Sequence, residues 1–517
     1  MTLHDRHIAV TGYDLEQSEH RGIATYSKNL IRCLQMAGAS VWLITEIDPR
    51  IKRRATRQLP FQTQEFLQQF SALKQLASTT LDAPQNALEE QFRPIFVLRL
   101  LIQRMQRHGL LQLPLIPYRP RPIIRISLRD QLDTPYQRDA RLKYLQDIEG
   151  IICIPGFFEA SHWRNLKPVK LSLPDFDTLI TTCPLNLTCE TPTQLVQTVH
   201  DLIPLECDPE NRNTLVFTKR LQACLASQRI HISSTTQAKY NKYIYPQNKS
   251  HQKQQSKQST KVNELVIIQP PSLQIPSEIT AHPLQEIDLE PGSDLFQKNQ
   301  KQAVKTNQGT STRLDPPKYS QPRNTTQGEL EPFRYFLFNS SMEARKNLLF
   351  LAKAYSQSNL SKNGIKLCVT GKLKNDAYSR AVRKQAIHES GIILTGYVDE
   401  STKLDLYLNA IGLVSPSLME GFGIPVFDSA CLGLHTIASD CASHLEISQL
   451  HDFCDYITPL STLESRDWAL TMRALAEQHC DLWRQAPAER CRRLKRYTAM
   501  ASGFDQQFQH DLERLLI

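Results

Sequence analysis

The apolar positions of this chain fall into short runs separated by amphipathic stretches. Residues 8–10 form a compact apolar run, and a polar loop from Tyr13 to Arg21 leads to Gly22. The stretch that follows carries Ile23, Tyr26, Leu30 and Leu34 at helical spacing, and Gly38 is a natural stop. Residues 40–45 are the next strand. Strand, glycine loop, helix and strand in this order predict the opening of a parallel α/β domain. Further buried strands are predicted at 150–154, 178–182, 194–199, 229–233 and 265–268. The 194–199 strand ends in His200-Asp201.

A second alternation of strands and helices starts near Phe333, with strands at 335–338, 366–370, 391–394, 413–416 and 435–439. Phe504, Phe508, Leu512 and Leu515 then form a helical stripe built to pack on something. Between the halves the pattern fails. Residues 247–261 hold no aliphatic or aromatic side chain, and 277–328 are rich in Gln, Lys, Thr, Asn and Pro. Such segments cannot bury enough apolar surface to order themselves. The expected organisation is therefore a first Rossmann-like domain at 1–275 with a disordered insertion at 246–262. A disordered linker at 276–332 and a second Rossmann-like domain at 333–490 follow, and a helix at 491–517 crosses back to the first domain.

A chain of 517 residues can bury two cores. Its formal net charge of +9 favours anionic partners. The 12 cysteines include no Cys-x-x-Cys pair and no zinc-ligand spacing with histidines, which reads as dispersed reduced thiols and no metal site. The first residues lack an apolar signal core, and no apolar run is long enough to span a bilayer, so a cytoplasmic location is expected. Residues 93–129 carry eight arginines and no acid, interleaved with aliphatic clusters. Two readings stay open: a helix pair with arginines outward, or a peripheral anchor on an anionic membrane face. Tyr118 is the one aromatic beyond the start of the stretch, which argues against nucleic acid.

The most informative stretch is Glu420-Gly-Phe-Gly-Ile-Pro-Val-Phe-Asp428. Two carboxylates bracket a glycine turn, and Pro425 suits the start of a helix. The free N–H groups of that first turn can face an anion. The arrangement suits a ligand with hydroxyls and phosphate, such as a nucleotide sugar.

The block 394–440, with its Gly-Tyr-Val turn and Pro416-Ser-x-x-Glu420-Gly-Phe-Gly-x-Pro425 run, resembles the retaining glycosyltransferases of the GT-B fold, in the large fourth family of group 1 type. Glu343-Ala-Arg-Lys-Asn347 is similar to that family's Glu-Pro-Arg-Lys-Asn branch, and Gly22-Ile-Ala-Thr-Tyr26 and Val199-His200-Asp201 also fit. The resemblance implies an α/β GT-B fold, two Rossmann-like domains facing across a cleft. It implies a polysaccharide-building hexosyltransferase, and the absence of a metal-ligand cluster leads to the expectation of no cofactor or metal. The donor is GDP- or UDP-linked, GDP-mannose first, because the branch resembles mannosyltransferases. The acceptor is a glycan or a lipid-linked sugar.

Roles carried over by resemblance place Glu420 and His200 at the reacting sugar and Arg345 and Lys346 on the diphosphate. Asp428 faces the ribose, while Gly421, Phe422, Gly423 and Gly22 line the donor. The sequence departs from the pattern at Asp428, where Glu is usual, and at Ser340-Ser341, where Gly-Arg is common. Arg21-Gly22 replaces a double glycine, and 51–145 and 246–332 do not follow the family. Two alternatives stay open: a catalytically degenerate GT-B binding or scaffold protein, in which Asp428 and Ser340-Ser341 record lost catalysis, and a sucrose-type synthase acting on a small soluble acceptor.

Overall fold

The computed structural model of the chain describes residues 3–17, 22–47, 59–80, 124–127, 140–154, 157–161, 168–207, 212–245, 263–275, 330–372, 374 and 376–517. The expected disordered insertion, the expected linker apart from 330–332, and the arginine-rich stretch apart from 124–127 lie outside these residues. The chain divides into two compact units, residues 1–270 with 505–517, and residues 271–504.

Unit 1 begins with β1 (His7–Thr11), α1 (Gly22–Met36), β2 (Ser40–Thr45), α2 (Phe61–Thr80), β3 (Ile124–Ser127), β4 (Gly150–Cys153) and α3 (Phe157–Ser161). It continues with β5 (Val169–Leu171), β6 (Thr178–Thr181), β7 (Leu187–Cys189), β8 (Gln194–Val199), α4 (Ile203–Cys207) and α5 (Arg212–Ala223), then β9 (Gln228–His231), α6 (Ser234–Tyr243) and β10 (Glu264–Val266). Among the described residues, eight strands form one sheet in the order β10-β9-β8-β6-β1-β2-β4-β3. Only β3 runs antiparallel to its neighbour. Strands β4 and β6 are buried at every position, as parallel strands covered on both faces must be. In α1 the expected Tyr26, Leu30 and Leu34 are buried, but Ile23 is exposed, because the inward face turns through Ala24, Ser27 and Ile31.

Unit 2 contains β11 (Tyr335–Asn339), α7 (Leu348–Ser358), β12 (Lys366–Thr370), α8 (Ala377–His388), β13 (Ile392–Gly396) and α9 (Glu400–Asn409). Then come β14 (Gly412–Ser415), α10 (Ile424–Leu432), β15 (Thr436–Ser439), α11 (Ala442–Ser448), β16 (Ile457–Leu460), α12 (Ser465–Gln478) and α13 (Ala486–Leu516). Its six parallel strands lie in the order β13-β12-β11-β14-β15-β16. Counted along the chain this is 3-2-1-4-5-6, the order of dinucleotide-binding sheets, with the direction of winding reversing between β11 and β14. Unit 1 reverses in the same way between β1 and β6. Asp376 and Asp399 cap α8 and α9 by accepting the N–H of Ser379 and Thr402, each at 2.7 Å. The core of unit 2 is sealed by α7 against α12, where Phe350 meets Trp468 edge-on at 5.8 Å. Leu351, Tyr355 and Met472 are fully buried there, worth about 1.5–3 kcal/mol apiece.

The long helix α13 is one element divided between the units. Its residues through Phe504 belong to unit 2, and Phe504 packs on Phe427 at 4.8 Å. Asp505 onward belongs to unit 1, where Arg32 clasps Asp505 at 2.8 and 2.5 Å and Phe508, Leu512 and Leu515 are buried. The break thus falls inside the helix and not at 491, and the 271–275 segment sits with unit 2. Among the described residues no helix is long and apolar enough to cross a membrane. None of the twelve cysteines is in a disulfide.

One backbone crossing fixes the floor of unit 2. After β12 the chain passes over Ser340, and a Cβ on Gly371 would lie 1.9 Å from the Ser340 carbonyl oxygen at φ +140°. Neither backbone can give way, since Ser340 N–H bonds the Thr370 carbonyl at 3.0 Å and Gly371 N–H bonds that of Gly396 at 2.9 Å. Gly371→Ala should therefore destabilise the chain by about 3 kcal/mol or more. Gly503→Ala, in the open interior of α13, should stabilise it by about 0.5–1 kcal/mol. Urea unfolding of both variants beside the parent checks the sign of each.

Candidate active site

Ligands of open α/β sheets sit beyond the carboxyl ends of the strands at the winding reversal. In unit 2 those ends are Asn339 of β11 and Ser415 of β14. The loop after β11 forms a 3-10 turn, Ala344–Lys346, and Asn347 then adopts a left-handed conformation (φ 56°, ψ 35°) that starts α7. Asparagine tolerates this region better than most side chains. The loop after β14 runs from Pro416 to Gly423, whose φ of +105° again needs glycine, and α10 follows with Pro425 in its first turn. A backbone hydrogen bond from Leu418 N–H to the Arg345 carbonyl, 2.8 Å, ties the two loops together.

This junction brings Glu420, Lys346 and Arg345 into one cluster. The Lys346 ammonium is in direct contact with Glu420 Oε1, and Arg345 Nη1 lies 3.2 Å from Oε2. Ser417 Oγ donates to Oε1 at 2.8 Å. Lys346 and Glu420 are both buried. Burial pushes the Glu420 carboxyl up, but the charges of Lys346 and then Arg345 outweigh it and hold the group down at about 2. Arg345 also pairs through Nε with Glu343 at 3.0 Å, and Lys374 meets Glu343 at 2.7 Å. Three cations against two carboxylates leave a local excess of positive charge beside the N-terminus of α7.

Behind the cluster lies a set of groups that sequence reasoning missed. Ser443 Oγ donates to the Glu420 carbonyl at 2.8 Å and the Gly421 carbonyl at 3.2 Å. Ser439 Oγ donates to the Ser417 carbonyl at 2.5 Å, so its single proton is committed. His444 Nδ1, 3.0 Å from Ser439 Oγ, is therefore the N–H partner. His444 is 0% exposed, and burial lowers its pKa to about 4, which keeps the ring neutral. Its Cδ2 edge faces the place a Gly423 Cβ would occupy, 3.0 Å away. No sequence spacing marks these residues, because serines of every role look alike in a chain.

Other expected site residues are placed differently. Phe422 is buried with its ring on Phe427 at 5.1 Å, so its side chain packs under the turn. Asp428 departs most. It is 2% exposed, and both its oxygens hold Ser272: Oδ1 accepts the Ser272 N–H at 2.6 Å and Oδ2 accepts the Ser272 hydroxyl. Burial raises its carboxyl to about 6. It stands in the first turns of a helix start, as expected, but the chain itself occupies both of its acceptor oxygens.

His200 and Gly22 belong to unit 1. His200 Nε2 donates to the Thr182 carbonyl at 2.7 Å, which leaves Nδ1 as the acceptor nitrogen. Its ring meets Tyr26 edge-on at 4.8 Å, and burial lowers its pKa to about 4. Gly22 is the exposed first residue of α1. Among the described residues no group of three or more His, Cys, Asp or Glu could hold a metal ion.

Residues 323–458 match the family model for glycosyl transferases group 1. The match spans both loops of the cluster. No curated protein matches the chain. Solved structures similar to it include Anabaena HepE in complex with UDP and glucose, at 12% identity over 99% of this chain and 100% of that one, with a TM-score of 0.47. Sucrose-phosphate synthase from Thermosynechococcus elongatus gives 12% identity, 99% of both chains and 0.47. WaaG, a glycosyltransferase involved in lipopolysaccharide biosynthesis, gives 11%, 94% of both chains and 0.45. With all three scores below 0.5, the fold rests on the strand orders given above.

Removing the Glu420 charge leaves Lys346 buried without a partner, which costs roughly 3–5 kcal/mol. The folded carboxyl at about 2 lies below its ordinary 4.5, so the ionised form contributes stability above the ordinary value and loses it as pH falls through about 2. Glu420→Gln should be less stable than the parent by a constant amount from pH 8 to about 5, with the gap closing toward pH 2. Chemical unfolding across that range measures it.

Proposed function

We propose that this chain is a glycosyltransferase that moves a hexosyl group from a nucleotide sugar to a glycan or lipid-linked acceptor, with retention of configuration. The observation that carries this reading is the Arg345, Lys346 and Glu420 cluster. It lies at the winding reversal of a dinucleotide-type sheet, inside the segment that matches group 1 glycosyl transferases.

In this reading Arg345 and Lys346 turn from Glu420 to the diphosphate oxygens and take up the charge that grows on the leaving group. The N-terminus of α10 adds its N–H groups at Gly423. Glu420, relieved of its cations, accepts hydroxyls of the donor sugar and faces the positive charge at the anomeric carbon. His200, neutral and with its Nδ1 lone pair available by tautomer, hydrogen-bonds the donor sugar or its phosphate. The acceptor oxygen attacks the anomeric carbon on the face from which the diphosphate departs. The carbon–phosphate oxygen bond breaks with its electrons on the phosphate, and the acceptor proton passes to a phosphate oxygen. The clamp consists of side-chain cations, and we propose that it works without a metal.

The reading extends to donor and place: GDP-mannose first, then UDP-glucose, used at the cytoplasmic face with residues 93–129 on an anionic membrane. One observation favours a rival. Asp428 is closed off by Ser272, as it would be in a degenerate binding protein.

Screening UDP-, GDP- and ADP-sugars by thermal unfolding identifies the donor, since a ligand at about a hundred times its Kd stabilises by about 2.7 kcal/mol. The purified protein should then hydrolyse or transfer from that donor in EDTA. Lys346→Ala should slow turnover about a hundredfold or more, and Glu420→Ala should abolish it. Full loss in EDTA with rescue by manganese overturns the metal-free clamp. Donor binding with no turnover favours the degenerate protein. In flotation with anionic liposomes at low salt the chain should rise with the lipid, and neutral vesicles should leave it behind.

A further inference from the structure

The boundary between the units falls between Pro270 and Pro271. Both sides of it are tethered. On the unit 1 side, Asn29 Nδ2 of α1 donates to the Pro270 carbonyl at 3.3 Å. On the unit 2 side, Ser272 delivers its N–H and its hydroxyl to the two oxygens of Asp428, and Leu273 N–H donates to the Tyr497 hydroxyl at 2.6 Å. The Tyr497 hydroxyl donates back to the Leu273 carbonyl at 3.2 Å.

The Ser272 grip has the form of a diol on a carboxylate: two adjacent donors, one to each oxygen. A ribose presents its 2′ and 3′ hydroxyls in the same way. At 2% exposure, Asp428 cannot be touched by a second pair of donors while Ser272 stays in place. Asp428 also stands in the second turn of α10, the helix whose start belongs to the cluster described above.

We propose that Ser272 is a built-in competitor of the donor nucleotide. Its backbone N–H and hydroxyl occupy the carboxylate of Asp428, and the ribose of a bound nucleoside diphosphate displaces them, freeing the segment at which the chain enters unit 2. The proposal rests on the glycosyl-donor reading and adds to it a coupling between donor binding and the Pro270-Pro271 junction. By linkage the coupling is reciprocal: whatever holds Ser272 on Asp428 weakens the nucleotide, and the nucleotide loosens Ser272. One carboxylate thereby serves two exclusive states of the same protein.

The test uses UDP, GDP and ADP as probes on the full-length chain. Ser272→Ala removes the hydroxyl and keeps the N–H, so it should tighten binding of the preferred diphosphate by about threefold to tenfold in titration calorimetry, the range for one hydrogen bond. Asp428→Asn should weaken the same nucleotide. In hydrogen exchange on the unmodified chain, the Ser272 amide should be protected without nucleotide and should exchange faster when the diphosphate is added. Unchanged or weaker binding in Ser272→Ala, or unchanged or greater protection of the Ser272 amide on nucleotide addition, overturns the competition and leaves Asp428 as a structural clip. If no diphosphate binds the parent or either variant, the glycosyl-donor reading falls, and this proposal falls with it.

Discussion

A carboxylate and an ammonium can leave water together only if they meet and if their remaining hydrogen-bonding capacity is met as well. Glu420 and Lys346 meet, Arg345 and Ser417 take up the remaining capacity of the carboxylate, and much of unit 2 is arranged around this contact. Lys346 comes from the loop after β11 and Glu420 from the loop after β14, strands adjacent in space although β12 and β13 intervene in the chain. Ser417 completes the coordination of the carboxylate, and Ser443 holds the backbone that carries it. Ser439 and His444 hold Ser417 in turn through the commitment of one hydroxyl proton. A pair of this kind adds little to net stability compared with packed apolar side chains. What it adds is a defined position for two charges that point at one place.

The periodicity of the sequence carried most of the architecture, because a parallel sheet covered on both faces needs runs of apolar residues that are hard to miss. The elements it did not reveal have physical reasons. Strand β16, Ile457–Leu460, contains Pro459 and two exposed positions, and it is tolerated only because it is the edge of its sheet. Strands β5 and β7 have three residues each and, among the described residues, form a two-stranded sheet with one another, too short for any pattern. Of the site, Arg345, Lys346, Glu420 and Gly423 were legible, since each sits in a contiguous block whose residue types have few other uses together. Phe422 belongs to the same block, and its ring packs on Phe427 beneath the turn. The serines and His444 that hold the block come from β15 and α11. Their role exists only in three dimensions.

The nine-residue stretch 420–428 holds two carboxylates with opposite environments. Both are buried, and burial alone would raise both. Glu420 faces Lys346 and Arg345, whose full charges pull it down to about 2. Asp428 faces Ser272, whose dipoles offset part of the burial but leave it at about 6. Full charges favour an ionised group over the whole accessible pH range. Neutral donors leave it held by geometry, and a partner of the same geometry can replace them. The shorter side chain belongs to the same logic. An aspartate keeps its carboxylate close to α10, where the 271–273 segment reaches it. The aspartate at 428 is thus matched by a serine 156 positions away in the chain. The two residues make sense as a pair, and neither can be interpreted from its own neighbours in sequence.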